Sequence, residues 1–148
     1  MPPYKGKFTP DNPNKYMGDA NNIIYRSGWE RRAMKYFDIN PGVLKWASEE
    51  VVIPYYDSVS KKVRRYFPDF LIKVQTAEGS TQTHLIEVKP SKDLRPPVGG
   101  RGKKKSTVLY EMKTYRMNRD KFAAARKWCD DRNIIWDVWT EKQLKQKG

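Results

Sequence analysis

Residues 63–76 and 81–89 form two extended runs rich in β-branched and aromatic side chains, with Glu78-Gly79-Ser80 between them. Runs joined by such a turn read as an antiparallel hairpin. A two-stranded ribbon is marginal in water by itself, so the rest of the chain must supply further strands and cover for its faces. Ser27 followed by Glu30 has the S-x-x-E spacing of a capping box, which predicts a helix from 28 to about 37. Glu30, Ala33, Met34 and Phe37 lie at i, i+3, i+4 and i+7 and share one stripe. Asn40-Pro41-Gly42 ends that helix. Residues 44–49 and 50–55 read as strands, the second closing near Pro54.

Beyond Pro90, residues 107–116 have helical composition, Asn118 is a candidate cap, and 119–132 continues as a helix with Phe122, Ala125 and Cys129 inward. A strand at 134–139 and a short basic helix at 141–147 finish the chain. Helix, strands, helix, strand, helix is an α/β (α+β) order. It predicts a mixed sheet with helices packed on its faces. At 148 residues the chain fits one domain, able to bury roughly 68–70% of its unfolded surface. Residues 1–22, rich in Pro, Asn, Lys and Gly, read as an extended basic arm, and 23–148 as the domain. Within the domain, 94–106 is expected to be a flexible basic loop, because PPVGGRGKKK at 96–105 runs Pro and Gly into three lysines.

With 30 Lys or Arg against 17 Asp or Glu the formal net charge is +13, the electrostatic footprint of a polyanion binder. One Cys and one His exclude a disulfide framework and a zinc site made of such ligands. Imidazole-assisted nucleophilic chemistry would rest on His84 alone, so any catalysis falls to carboxylates, lysines and a hard cation. No stretch approaches the roughly 20 apolar residues of a membrane span. The N-terminal residues lack the apolar core of a secretion signal. A soluble protein made in a reducing cytoplasm is expected.

The acids worth following are Glu30, Asp69 and Glu87. Period-2 alternation puts Leu85, Glu87 and Lys89 on one strand face, and the hairpin partner brings Pro68-Asp69 close to it. Carboxylates converging on one point repel unless a cation lies between them, and a divalent ion with oxygen ligands answers that need. Such an ion orients and activates water and stabilises charge on a phosphate under attack. Lys89 would hold the water or neutralise the transition state. Each residue also has an ordinary role: Glu87 and Lys89 as a cross-strand charge pair, Asp69 at a proline kink, Glu30 as the capping-box acid bonded back to Ser27.

Glu30, Pro68-Asp69 and Glu87-Val88-Lys89 together resemble the signature of the PD-(D/E)xK, restriction-endonuclease-like nucleases. The stretches NPNKYMGDANNIIYRSGWE (12–30), WASEE (46–50) and RYFPDF (65–70) are similar to the head completion nucleases of T-even-like tailed bacteriophages. Those are related in turn to the TnsA endonucleases of transposons. The resemblance implies a restriction-endonuclease-like mixed sheet flanked by helices, and an active-site set of Glu30, Asp69, Glu87 and Lys89. It implies Asp69, Glu87 and the Val88 carbonyl as ligands of Mg2+, with Mn2+ as a substitute.

It further implies DNA as substrate and portal or neck proteins of the phage head as partners. Action would come after genome packaging, in the host cytoplasm during assembly, with retention in the virion head. Arg64, Arg65, Arg101, Lys103, Lys104, Lys105 and Lys121 are candidates for phosphate contact. A monomer or a homodimer fits, and a double-strand break favours the dimer. The rival is a non-catalytic head protein that grips the DNA end and seals the portal before tail attachment. An RNA-binding domain is a weaker alternative, since no glycine-aromatic strand motif for stacking bases is present.

Overall fold

The computed structural model describes residues 5–100 and 102–147. The elements run β1 (Gly6–Phe8), β2 (Ile23–Tyr25), α1 (Gly28–Ile39), β3 (Val43–Ser48), β4 (Ile53–Asp57), β5 (Lys62–Tyr66), β6 (Phe70–Gln75), β7 (Thr81–Val88), α2 (Lys105–Asp131), β8 (Ile135–Trp139) and α3 (Glu141–Lys147). The expected hairpin is β6–β7, paired antiparallel from Phe70↔Ile86 to Gln75↔Thr81. Its turn closes with Thr76 and Ser80 bonded to each other, and Gly79 adopts φ +84°, which glycine reaches without strain.

A central four-stranded sheet has the order β3-β6-β7-β8. The first two pairings are antiparallel, and β8 joins β7 parallel. A parallel neighbour needs a crossover, and α2 provides it. Alternation along the strands then builds two cores. Phe70, Ile72, Ile86 and Trp139 face α1 and α3, around Trp46, Phe37 and Leu144. Leu71, Leu85 and Trp136 face α2 and the β4–β5 hairpin, with Ala125 and Cys129 fully buried. This is a mixed sheet between helices, as expected. Among the described residues no helix is long and apolar enough to cross a membrane.

Three local expectations are corrected. The run at 63–76 is two strands: β5 pairs with β4, β6 pairs with β3 and β7, and the chain breaks between them at 67–69. Pro68 is the cause, since it has no N–H to give a ladder. Pro54 lies inside β4 instead of ending it. That is tolerated because β4 pairs on one side only, in a two-stranded sheet with β5. Asn118 caps nothing, for α2 is continuous over 27 residues. An asparagine in a helix interior costs only a few tenths of a kcal/mol, about the spread among ordinary residues, and the crossover favours one unbroken rod.

Nor is the N-terminal segment, so far as it is described, a free arm. Phe8 and Tyr16 sit in the core beside Trp46, with ring centroids 5.8 and 4.7 Å from the Trp46 ring. Asp38, 2% exposed at the end of α1, accepts the backbone N–H groups of Asp11 (2.7 Å) and Asn12 (3.0 Å). Lys15 caps the end of α1 by donating to the carbonyls of Asp38 and Asn40. Replacing Asp38 with Ala removes two part-buried hydrogen bonds that hold residues 11 and 12, so it should lower unfolding stability by about 1 kcal/mol. Urea denaturation should show a lower midpoint with an unchanged slope.

Candidate active site

The Pro68 break between β5 and β6 leaves Asp69 just outside the sheet, where its two ends are bonded in different directions. Its carbonyl accepts the N–H of Glu49 (3.0 Å), and its Oδ2 accepts the N–H of Val88 (2.7 Å). Asp69 is thereby tied to the chain leaving β3 and to the last residue of β7. Glu49 turns with φ +56°, a left-handed conformation uncommon for a side-chain-bearing residue. That turn aims its carboxylate at Arg26, whose Nε and Nη2 donate at 2.9 and 3.2 Å.

Glu30 enters from the first turn of α1. Its N–H donates to Ser27 Oγ (3.1 Å), as the capping box predicts. Its carboxylate does not return to the backbone of Ser27. It accepts instead the N–H of Arg26 (3.3 Å) and the hydroxyl of Ser27 (3.4 Å). One carboxylate oxygen from each of Glu30, Glu49 and Asp69 lies within 4.8 Å of the others. Three acids at that spacing suit a hard divalent cation.

Glu87 and Lys89 approach from β7. Tyr66 donates its hydroxyl to Glu87 Oε1 (2.5 Å), and Lys89 Nζ lies 3.6 Å from Oε2. The three converging acids share Asp69 with the expected ligand set of Asp69, Glu87 and the Val88 carbonyl, and Glu87 stands against Asp69. Converging oxygens come from Glu30, Glu49 and Asp69, Glu87 is held between Tyr66 and Lys89, and Val88 engages Asp69 through its N–H. Burial pushes the Asp69 carboxyl well above the usual carboxylate range, helped by the charges of Glu87 and Glu30. Burial also raises Glu87, against the pull of Lys89 and the Tyr66 hydroxyl. It raises Glu30 too, with Glu49 and Glu87 adding repulsion. Negative charge here is dehydrated and crowded, the condition a divalent cation relieves.

The cationic candidates divide. Lys121, on α2, has its ammonium 5.6 Å from the Tyr66 ring centroid and 6.0 Å from that of Tyr55. Arg64 is committed to fold, donating through Nε to the buried Asp57 and to Ser60. Arg65 is exposed and packs over Phe67. Lys103 pairs with Glu111 (3.0 Å), Lys104 precedes α2, and Lys105 is its first residue. Arg101 lies outside the described residues. Reasoning from sequence missed Glu49, Tyr66 and Arg26. Glu49 sits in the quoted WASEE stretch, but only its left-handed turn aims it inward, and no periodicity carries that information.

A family model described as TnsA-like endonuclease N terminal matches residues 40–141, a span that holds Glu49, Asp69, Glu87, Lys89 and Lys121. The chain is also similar to the head completion nuclease of Enterobacteria phage T4, 38% identical over 148 residues, covering 98% of this chain and 96% of that protein.

Raised carboxyl values fix the sign of one effect. A protonated Asp69 suits the fold, so its contribution is full below the ordinary carboxylate range and is lost as pH rises through the elevated value. With EDTA present, the melting temperature should therefore fall from the ordinary carboxylate range upward, and Asp69→Asn should flatten that fall. Magnesium should stabilise the parent more at high pH than at low. Melting curves across pH decide it, and equal slopes for parent and Asp69→Asn would contradict the site's electrostatics.

Proposed function

Because the chain belongs to the TnsA-like endonuclease family and to the head completion nucleases, we propose that it is a magnesium-dependent DNA endonuclease acting in phage head completion after genome packaging. The observation that carries this reading is the convergence of Glu30, Glu49 and Asp69 beside the Glu87–Lys89 pair, all but Glu30 inside the span matched by an endonuclease family.

Asp69, Glu87 and Glu30 would hold Mg2+, or Mn2+ in its place, with Glu49 as a further carboxylate and the Val88 carbonyl within the same element. When bound, the ion would supply Lewis-acid activation of a water and charge neutralisation at the phosphodiester. The protein's own residues set the stage. Glu30 is held by the Ser27–Arg26 cap and Asp69 by Glu49 and Val88, so the acids are preorganised before any ligand arrives. Lys89 stands at the edge of the acid cluster, where its ammonium can hold a water or cover charge developing on phosphate oxygens. Lys103, Lys104 and Lys105, before and at the start of α2, supply cations that follow a DNA backbone without reading bases. One site per protomer cuts one strand at a time, and a double-strand break would take two protomers. Portal or neck proteins of the head would be the protein partners.

Glu87→Ala and Lys89→Ala should each slow cleavage of supercoiled plasmid by at least about 100-fold, as loss of a preorganised charged group at a transition state does. EDTA should abolish cleavage and magnesium restore it. A parent without metal-dependent cleavage, or variants that cut as fast as the parent, would sink the nuclease reading. Particles that assemble normally with the Glu87 variant would then favour the sealing role.

A further inference from the structure

Lys15 and Lys121 both lose part of their water on folding, and the fold treats them differently. Lys15, half-buried, donates to two backbone carbonyls at 2.9 and 2.8 Å. Lys121 is also half-buried, yet no described residue accepts a hydrogen bond from its ammonium or forms an ion pair with it. Its immediate neighbours are the faces of Tyr55 and Tyr66, at 6.0 and 5.6 Å. Those rings stand edge to face, 6.5 Å apart. The charges it feels are those of Lys89, which repels it, and of Glu87, Asp57 and Asp69, which attract it. Its ammonium keeps contact with solvent but has no acceptor within the described protein, so an anion entering the site can bind it without displacing a protein partner. Two tyrosine faces attract the cation and limit where it can go, but they donate no oxygen pair.

Tyr66 makes the placement specific. Its hydroxyl is bound to Glu87 while its face holds Lys121, so one ring couples the acid on β7 to the amine on α2. An anion that approaches the acid cluster would meet the ammonium groups of Lys89 and Lys121 together. A phosphodiester group is such an anion.

Resting on the nuclease reading above, we propose that Lys121 is a second catalytic cation, which contacts the scissile phosphate alongside Lys89, with Tyr66 as the positioning residue of both Lys121 and Glu87. It differs in kind from the lysines at 103–105. Those are exposed and stay hydrated, so they add affinity along the backbone, whereas a half-buried cation beside the reacting group acts on the charge that develops there.

The test separates rate from affinity. Lys121→Met keeps the apolar stem over the rings and deletes the charge, Lys121→Gln is a second deletion, and Lys121→Arg restores charge. Single-turnover cleavage of a duplex is measured with saturating protein and magnesium. Affinity for the same duplex is measured by anisotropy with calcium in place of magnesium. The Met or Gln variant should cleave at least about tenfold slower at saturation with affinity within about threefold of the parent, and Arg should recover part of the rate. Both deletions should melt within about 3 °C of the parent, since no ion pair is lost. A smaller loss of rate, an equal loss of rate and affinity, or unfolding of both deletions would overturn the proposal. A parent that does not cleave fails the nuclease reading itself, whereas a parent that cleaves beside an equally active Lys121→Met fails this inference alone.

Discussion

The structure turns on one missing hydrogen bond donor. Pro68 cannot continue a ladder, so the chain that built β5 with β4 leaves that pairing and starts again as β6 in the central sheet. Asp69 stands in the gap, and its carbonyl and carboxylate accept N–H groups from Glu49 and Val88 that would otherwise lack strand partners. The same break separates Tyr66 from Asp69 and sends Tyr66 to the side of the sheet where Leu85, Ala125 and Cys129 pack. From there its hydroxyl meets Glu87. Without the break, strict alternation over 63–76 would hold Tyr66 and Asp69 in one continuous strand, and the site could not draw on both cores.

Electrostatics explains why so much of the local bonding is polar and rigid. Burial raises the carboxyls of Glu30, Asp69 and Glu87, and each repels at least one other. Such a cluster would spread apart if its members were free to move. They are not: Glu30 is fixed by the helix cap, Asp69 by two backbone N–H groups, Glu49 by a forked Arg26, and Glu87 by Tyr66 and Lys89. Strain of this sort is expected where a fold keeps a geometry for a ligand and not for its own stability. The left-handed turn at Glu49 belongs to the same pattern.

Much of this was legible beforehand, and the parts that were not share a cause. Periodicity located α1, the β6–β7 hairpin, β8 and α3, because each buries a regular stripe or face: Ala33, Met34 and Phe37 on α1, Ile86 and Leu85 on opposite sides of β7. It placed Glu30, Asp69, Glu87 and Lys89 near one another for the same reason. It failed where one residue overrode the pattern, as Pro68 did in dividing a run and as Asn118 failed to do in a helix tied to a crossover. It also failed for residues 5–22, whose polar composition resembles an arm. Their anchors are Asp38 and Trp46, far along the chain, and such pairings leave no local trace. Glu49, Arg26 and Tyr66 were missed because their roles depend on a turn angle or on a partner across the fold.

The surplus of thirteen positive charges takes on a different meaning once the residues are placed. Part of it is internal: Arg64 secures the turn at Asp57, Lys15 caps α1, and Arg26 covers Glu49. These cations hold the fold or the site and offer little to a distant polyanion. Four buried or half-buried acids, Glu30, Glu49, Asp69 and Glu87, lie at the site, and a divalent cation there would cancel charge that the formal count subtracts. A long-range field that guides a polyanion toward the protein then comes from the exposed lysines at 104 and 105 and their like, and it weakens with salt. Contacts made at the acid cluster lie in partly dehydrated surroundings, where screening is weaker, so encounter and reaction respond to ionic strength to different degrees.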